Sequence, residues 1–545
     1  MTVPAGENVP SRRTSPILPW ILALLSGVLT GSCFLPLPPR FPEWLPWVAL
    51  APLCWALWML PLPAGEKKGW PLIRRCFGLG WVAGTAGFLL SLHWITTVTV
   101  AGWIALCAYL GLFPALWALF AGILLRPLGG AWLGSGRNLL TALLAAAAWT
   151  GLEWLRGILF SGFGWNALGV ALGGNPTIAQ IASVTGTAGL TFLCILSSAT
   201  LAITAARLGR EILAGRATPH VDFFAALFLI VICFSHGVRA LTAPAAPSFP
   251  LRVAGLQGNV PVYDYWEEGK EESILERYVT MSREALKGNP DLIVWPEAAT
   301  PRPLLIDEVT GNAVRGLMEG SRADFLIGSI HYEDVPRGDY NSAILLSGSS
   351  APQVYNKVHL VPFGEFVPFR RSFPLLAWIE RREVPHDFDP GKGPALLEAG
   401  SRPVKLGPLV CFEDTLGDQT RRTAGLGAQL LVTLTNDGWF GHSVATRQHL
   451  ANARLRTVET GLPLLRVADT GVTCVIDRFG RIREELSGPG GDSFVQGILK
   501  TTIPVPAHPM PTFYTRHGDL FAHACLAVTA VALLAGLPAS RRRVR

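Results

Sequence analysis

The chain has 545 residues, half of them hydrophobic and only 16% charged, against roughly 25% charged in soluble proteins, which excludes both an ordinary soluble protein and a disordered one. The charge is uneven: residues 1–246 hold 14 basic and 6 acidic side chains, whereas 247–545 hold 32 and 33. A membrane part therefore precedes a water-soluble part, and the formal net charge of +7 belongs to the former. That excess lies in short loops between apolar runs, which is the pattern of membrane orientation and not of nucleic-acid binding.

A membrane-crossing helix needs about 20 mostly apolar residues, with every backbone group bonded internally. Runs at 17–34, 44–60, 76–95, 103–125, 138–155, 178–205 and 222–241 meet this, and 520–537 follows after a long polar gap. Pro46 and Pro52 interrupt the second run, and Pro114 predicts a kink in the fourth. Arg12 and Arg13 before the first run resemble a signal-peptide start. Six further spans and the lack of a clear small-x-small site favour an uncleaved helix.

Lys and Arg set the orientation. One set of alternate connections, with the C-terminal tail, carries fifteen of them; the opposite side carries Arg40, Arg156, Arg239 and Arg516. Both termini are thus expected in the cytoplasm and the polar domain on the outer face. The expected division is 1–246 with seven helices, 247–515 as the outer domain, and 516–545 as the eighth helix and basic tail. Glu153 lies near the end of the fifth span. It reads either as a functional intramembrane acid or as a local ion-pair partner of Arg156, three residues on.

After a linker at 243–250, β-type runs are predicted at 251–257, 291–295, 325–330, 342–346, 353–355, 409–412, 430–435, 464–468 and 473–476, with helices at 271–287 and 446–460. Strands alternating with helices imply a layered α/β domain. There is no phosphate-binding glycine loop and no Cys/His spacing of a structural zinc site. Neither a metal nor a cofactor is expected. Seven of the nine cysteines lie in apolar spans, where a thiol acts as a small hydrophobe; Cys474, in a hydrophobic strand, is read as packing.

Reactive residues follow three of the β-type runs. Leu292–Glu297 (LIVWPE) delivers Glu297, Tyr355–Glu365 (YNKVHLVPFGE) carries Lys357 and Glu365, and Leu409–Glu413 (LVCFE) carries Cys411 and Glu413. A thiolate is a nucleophile, a carboxylate of raised pKa can generate it, and an ammonium can stabilise an oxyanion. Each residue alone also has an ordinary structural reading, and positions 60 and 54 residues apart are not joined by spacing. His331 and His359 are read as structural.

The order Glu297 in WPE, Lys357 in NKVHLVPFGE and Cys411 in VCFED resembles the Glu–Lys–Cys arrangement of the nitrilase superfamily of carbon–nitrogen hydrolases. An outer nitrilase-like domain between a seventh and an eighth helix resembles the apolipoprotein N-acyltransferase family. Leu256–Pro261, Thr435–Gly441 and the pair Glu153–Arg156 and Ser161–Trp165 extend that likeness. The resemblance implies eight transmembrane helices plus an α/β nitrilase-like four-layer αββα sandwich. It makes Cys411 the nucleophile, Glu297 the general base and Lys357 the oxyanion-stabilising residue. Glu365 and Glu413 become supporting acids, and Trp266 and Trp439 aromatic positions near a lipid entry. Val358 departs from the polar residue expected in some relatives.

The implied reaction is ping-pong. A phospholipid, typically phosphatidylethanolamine, gives its sn-1 acyl chain to Cys411 as a thioester, and the α-amine of a diacylglyceryl-cysteine apolipoprotein then takes it as an amide. A bacterial inner membrane, a periplasmic catalytic domain and a monomer are expected. Two other classes compete: a membrane-tethered amidase acting on a small amide, and a transporter with a degenerate nitrilase-like domain. The complete set of reactive residues and the scarcity of charge within the spans count against transport. Eight helices suit two lipid substrates better than one small soluble one.

Overall fold

A computed structural model of the chain describes residues 15–36, 41–60, 62, 69–126, 134–244, 246–334, 337–368 and 387–542. Several residues behind the orientation expectation (Arg12, Arg13, Arg40, Lys67, Lys68, Arg543 and Arg545) lie outside them.

The first helix, Leu18–Ser32, packs along Trp70–Ser91. Small residues permit the close approach: a Cβ on Gly27 would lie 2.5 Å from the Ala83 carbonyl oxygen, and one on Gly31 2.7 Å from that of Gly87. The second expected span is two short helices, Phe41–Val48 and Ala51–Trp58, with Pro52 starting the second. The fourth is Val100–Leu110 and Leu112–Leu124, joined at Gly111. Pro114 lacks the N–H that would have bonded to the Leu110 carbonyl, which accounts for the interruption.

The sixth expected span, 178–205, is corrected. Residues 176–185 form two short turns, Pro176–Ala179 and Ala182–Thr185, and the long helix is Thr187–Ala214. Gly186, at φ 64°, separates them. Ser135–Arg156, Val221–Thr242 and Leu520–Arg542 match the expected fifth, seventh and last helices. Among the described residues three helices, Val100–Leu124, Thr187–Ala214 and Val221–Thr242, are long and apolar enough to cross a membrane; Leu18–Ser32 and Leu520–Gly536 are apolar but shorter.

The remainder holds two six-stranded sheets. One has the order β12-β1-β2-β3-β4-β5, from Gly497–Pro506, Ser248–Gln257, Leu292–Val294, Asp324–Asp334, Arg337–Leu346 and Gln353–Asn356. The other has the order β11-β10-β9-β8-β7-β6, from Ile482–Glu485, Cys474–Ile476, Leu464–Ala468, Leu430–Thr435, Val404–Val410 and Leu397–Ala399. Each sheet has a parallel centre, β1-β2-β3 and β7-β8-β9, with antiparallel flanks.

Alternation along the strands divides the apolar side chains between two faces. Leu251, Val253, Leu292 and Val294 meet Leu406, Val410, Val432 and Val467 between the sheets. Ala254, Ile293 and Phe325 point the other way, onto the helices Glu271–Leu286 and Glu308–Met318. Leu431, Leu464 and Cys474 pack on Leu450 and Ala453 of the helix Ala445–Thr460. The result is helix, sheet, sheet, helix.

Ala445–Thr460 is polar in sequence, yet it is buried along most of its length, because its other face packs on the N-terminal helices. Leu455 and Val458 join the same apolar cluster as Ile178 and Ala182. Gln448 is the main polar tie: its Nε2 donates to the carbonyls of Phe34 at 3.1 Å and Ser91 at 2.9 Å. Its Oε1 accepts from Trp94 Nε1, Trp165 Nε1 and Asn166 Nδ2 at 3.1, 2.9 and 3.2 Å. Lower down, Glu459 Oε1 accepts from the Thr187 N–H at 2.9 Å and from Arg456 at 3.0 Å. Gln448→Leu strands five buried polar groups, so it should destabilise the protein by about 3 kcal/mol. Thermal unfolding in detergent checks this; an unshifted midpoint would mean the two parts do not depend on this tie.

Candidate active site

Lys357 and Cys411 stand immediately beyond the end of a strand, and Glu297 stands three residues beyond one. Glu297 follows β2, Lys357 follows β5, and Cys411 follows β7. The expected strand 409–412 stops at Val410. Cys411 begins a tight helical turn, Cys411–Thr415, with a left-handed φ of 52°. A non-glycine residue held there is strained and kept so by its surroundings. The first two residues come from one sheet and the third from the other, so the pairing of the two sheets brings them together.

The three side chains meet. The Cys411 thiol lies beside the Glu297 carboxylate, and Lys357 Nζ lies 3.5 Å from Glu297 Oε1. Lys357 also contacts Glu365 at 2.8 Å and is only 1% exposed. Asn341 Nδ2 bridges the acids, donating to Glu297 at 2.8 Å and Glu365 at 3.0 Å. The Asn436 N–H holds the other oxygen of Glu297 at 3.0 Å, and the Val361 N–H that of Glu365 at 2.8 Å.

Burial alone would push the Lys357 ammonium down, but Glu365 and Glu297 outweigh it and hold the amine charged, above its usual range. Burial raises the Glu297 carboxyl, with Lys357 offsetting part of the rise. Glu365 goes the other way: burial is overcome by the Lys357 charge and its hydrogen bonds, so its carboxyl stays low. Cys411 is partly exposed, yet the protein packed round its thiol and the Glu297 charge push it well above the usual thiol range. The resting state is therefore a neutral thiol beside a carboxylate with raised proton affinity, next to a fixed cation. Such a site can move the thiol proton to Glu297 as sulfur attacks a carbonyl, while Lys357 balances the developing oxyanion.

Glu413 does not open onto this space. It is wholly buried and accepts from the N–H groups of Val358 at 2.7 Å, His359 at 3.1 Å and Val410 at 2.8 Å, and from the Tyr355 hydroxyl at 2.8 Å. It thereby fastens the Lys357 loop to the strand that ends at Val410, one residue before Cys411. Trp266 and Trp439 are largely exposed, with ring centres 5.4 Å apart and Tyr263 beside them. Trp439 lies in the turn directly after Asn436, the residue that holds Glu297. The next residue, Phe440, points inward against Trp94 and Trp165, and Trp165 stacks on Phe412 at 6.1 Å. Aromatic side chains thus run from the residue beside Cys411 into the membrane helices.

Sequence reading missed Asn341, a polar residue on a β-type run, and a buried quartet under the Cys411 turn. His449 Nε2 contacts Asp414 at 2.8 Å and its Nδ1 contacts Asp437 at 2.9 Å. Arg466 reaches the same two acids at 3.5 and 3.2 Å. Asp414 and Asp437 each adjoin a residue already singled out, Glu413 and the TNDGWFG run, and that adjacency was the available signal.

Comparison with known proteins agrees with this layout. Residues 26–200 match the apolipoprotein N-acyltransferase N-terminal domain, and residues 252–501 match the carbon-nitrogen hydrolase family. The chain is similar to an apolipoprotein N-acyltransferase of Geobacter metallireducens, 34% identical over 94% of each chain. It is also similar to those of Rhodopseudomonas palustris, at 32% over 95% of this chain and 96% of that one, and Methylococcus capsulatus, at 35% over 85% and 86%.

The quartet gives a pH prediction. Burial would lower the His449 imidazole, but Asp414 and Asp437 overcome burial and the Arg466 charge and raise it from 6.5 to about 9. The folded-state value lies above the unfolded one, so its stabilisation is complete below pH 6.5 and is lost as pH rises through 9. The stability difference between wild type and His449→Gln should shrink by about 3 kcal/mol across that window. Unfolding midpoints of both proteins at stepped pH measure it, and a constant difference would show that His449 is neutral in the folded protein.

Proposed function

The chain belongs to the apolipoprotein N-acyltransferase family, and we propose that Cys411 is its nucleophile, Glu297 its general base and Lys357 its oxyanion-stabilising residue. It is an acyltransferase of lipoprotein maturation, acting on lipoprotein and phospholipid substrates in a bacterial membrane. The observation that carries the assignment of residues is the meeting of thiol, carboxylate and ammonium beside the seam between the sheets and the membrane helices.

In the first half-reaction Cys411 Sγ attacks the sn-1 ester carbonyl of a phospholipid, with phosphatidylethanolamine as the donor, and its proton passes to Glu297. The oxyanion develops against Lys357, held at its post by Glu365. The carbon–oxygen bond breaks, and the departing lysophospholipid oxygen takes the proton from Glu297. In the second half-reaction the α-amine of a diacylglyceryl-cysteine attacks the thioester. Glu297 takes the amine proton and passes it to the leaving sulfur, giving the amide and a free thiol.

The thioester must outlast the exchange of substrates, so water must be kept out. The Trp94, Trp165, Phe412 and Phe440 cluster supports that role. Trp266 and Trp439 are assigned to the lipid entry, and Glu413 to positioning. The working arrangement is a monomer with eight spans and both termini cytoplasmic: residues 1–246 in the membrane, 247–515 on the periplasmic side, and 516–545 as the last helix and tail.

Purified protein incubated with phosphatidylethanolamine and no acceptor should gain one acyl mass on Cys411, removed by hydroxylamine and discharged by a diacylglyceryl peptide. Cys411→Ser should gain none, and Glu297→Gln should acylate about 100-fold or more slowly. Intact-mass measurement over time decides. Release of ammonia from small amides without an acyl adduct would transfer the chain to the amidase reading.

A further inference from the structure

The helix Ser135–Arg156 ends in a guanidinium that is 2% exposed. Among the described residues, Nε, Nη1 and Nη2 of Arg156 make no hydrogen bond. Its charged neighbour is Glu153, at 3.9 Å, outside hydrogen-bonding range. The Glu153 oxygens are turned elsewhere: one accepts from the Leu168 N–H at 3.0 Å and Trp149 Nε1 at 3.4 Å, the other from the Thr191 hydroxyl. The guanidinium lies 5.1 Å over the Phe88 ring and faces Tyr109, whose hydroxyl also lacks a partner among the described residues.

A buried guanidinium with idle donors is costly. Its five N–H groups form a planar fork that fits two phosphate oxygens, and the Tyr109 hydroxyl supplies a further donor. The surroundings select the kind of phosphate. Ile158, Leu159 and Phe160 follow Arg156 as exposed apolar residues, and Val98, Val100 and Ile104 are exposed on the neighbouring segment. This wall is suited to acyl chains and unsuited to a free ion in water. Phe88 and Glu153 also line a small, mostly apolar cleft of about 50 Å³, whose further walls include Gly31, Ala83 and Gly84. Phe88, Tyr109 and Phe163 pack in the same cluster as Trp165 and Phe412, the residue after Cys411.

We propose that Arg156 and Tyr109 hold the phosphate of the acyl-donor glycerophospholipid, setting its ester at the Cys411 end of the aromatic wall. The inference rests on the phospholipid-donor reading above. Glu153 then balances the arginine charge without consuming its donors, so the site favours a lipid whose own headgroup is zwitterionic.

The test compares two acyl donors on the full-length protein in nanodiscs: phosphatidylethanolamine and a phosphate-free p-nitrophenyl acyl ester. Rates of Cys411 thioester formation give kcat/KM for each. In Arg156→Gln the ratio of phospholipid to ester kcat/KM should fall about tenfold or more, carried by KM. Arg156→Lys should fall between it and wild type, and Tyr109→Phe should lose a few-fold. An unchanged ratio, or an equal loss with both donors, would overturn the site, the latter marking Arg156 as structural. Inorganic phosphate that competes with phospholipid in wild type would reassign the site to the free ion and overturn the lipid assignment. Wild type that takes the ester but no phospholipid would overturn the donor reading itself, and this site with it.

Discussion

A fully buried ammonium is the constraint round which the catalytic end of the sheets is arranged. Lys357 has left water and needs compensating charge within contact distance. Glu365 and Glu297 provide it, and they differ in what else they do. Glu365 is tied by the Val361 N–H and stays ionised, so it acts as the standing counter-ion. Glu297 is the more weakly compensated acid: burial, with the Glu365 charge, raises its proton affinity further than Lys357 lowers it. Two carboxylates beside one cation are thereby driven apart in pKa, which divides a structural anion from a proton acceptor. Asn341 touches both and fixes their separation.

Many strands of the sandwich were legible from sequence because its centre is made of parallel strands buried on both faces, which read as unbroken apolar runs. Leu430–Thr435 and Leu464–Ala468 match residue for residue. On the flanks β4, β5 and β10 were also legible, whereas β6, β11 and β12 were not. β11 carries Arg483, Glu484 and Glu485, and β12 contains prolines; both hide an edge strand from a hydrophobic pattern. The helices Glu308–Met318 and Gly417–Gly425 escaped for a similar reason, being short and polar on one side. In the membrane part, apolarity continued through 178–186 although Gly186 ends the turn there, so composition set the span start too early.

The reactive residues were readable one strand end at a time. Their meeting was not, since it depends on two sheets facing each other across contacts far apart in sequence. Glu413 shows the difference. Two residues from Cys411, it invites a chemical role, whereas its four accepted hydrogen bonds make it the clasp between two segments. Likewise the polar helix Ala445–Thr460 carries no sequence mark of burial. Its partners Phe34, Ser91, Trp94 and Trp165 lie some 280 to 410 residues away.

That helix joins the two halves of the mechanism. Successive residues on a helix point about 100° apart, and Gln448 and His449 use the difference. Gln448 turns outward and takes hold of the N-terminal part of the chain through five hydrogen bonds. His449 turns inward to Asp414 in the Cys411 turn and Asp437 beside the residue that holds Glu297. The Trp165 ring touches both sides, bonding Gln448 and lying 5.2 Å from His449. A shift of the N-terminal helices against the sandwich would therefore move the strained Cys411 turn and the loop that holds Glu297 together. Chemistry on a lipid ester needs both the apolar wall and the Glu–Lys–Cys cluster in register, and one turn of one helix carries that register.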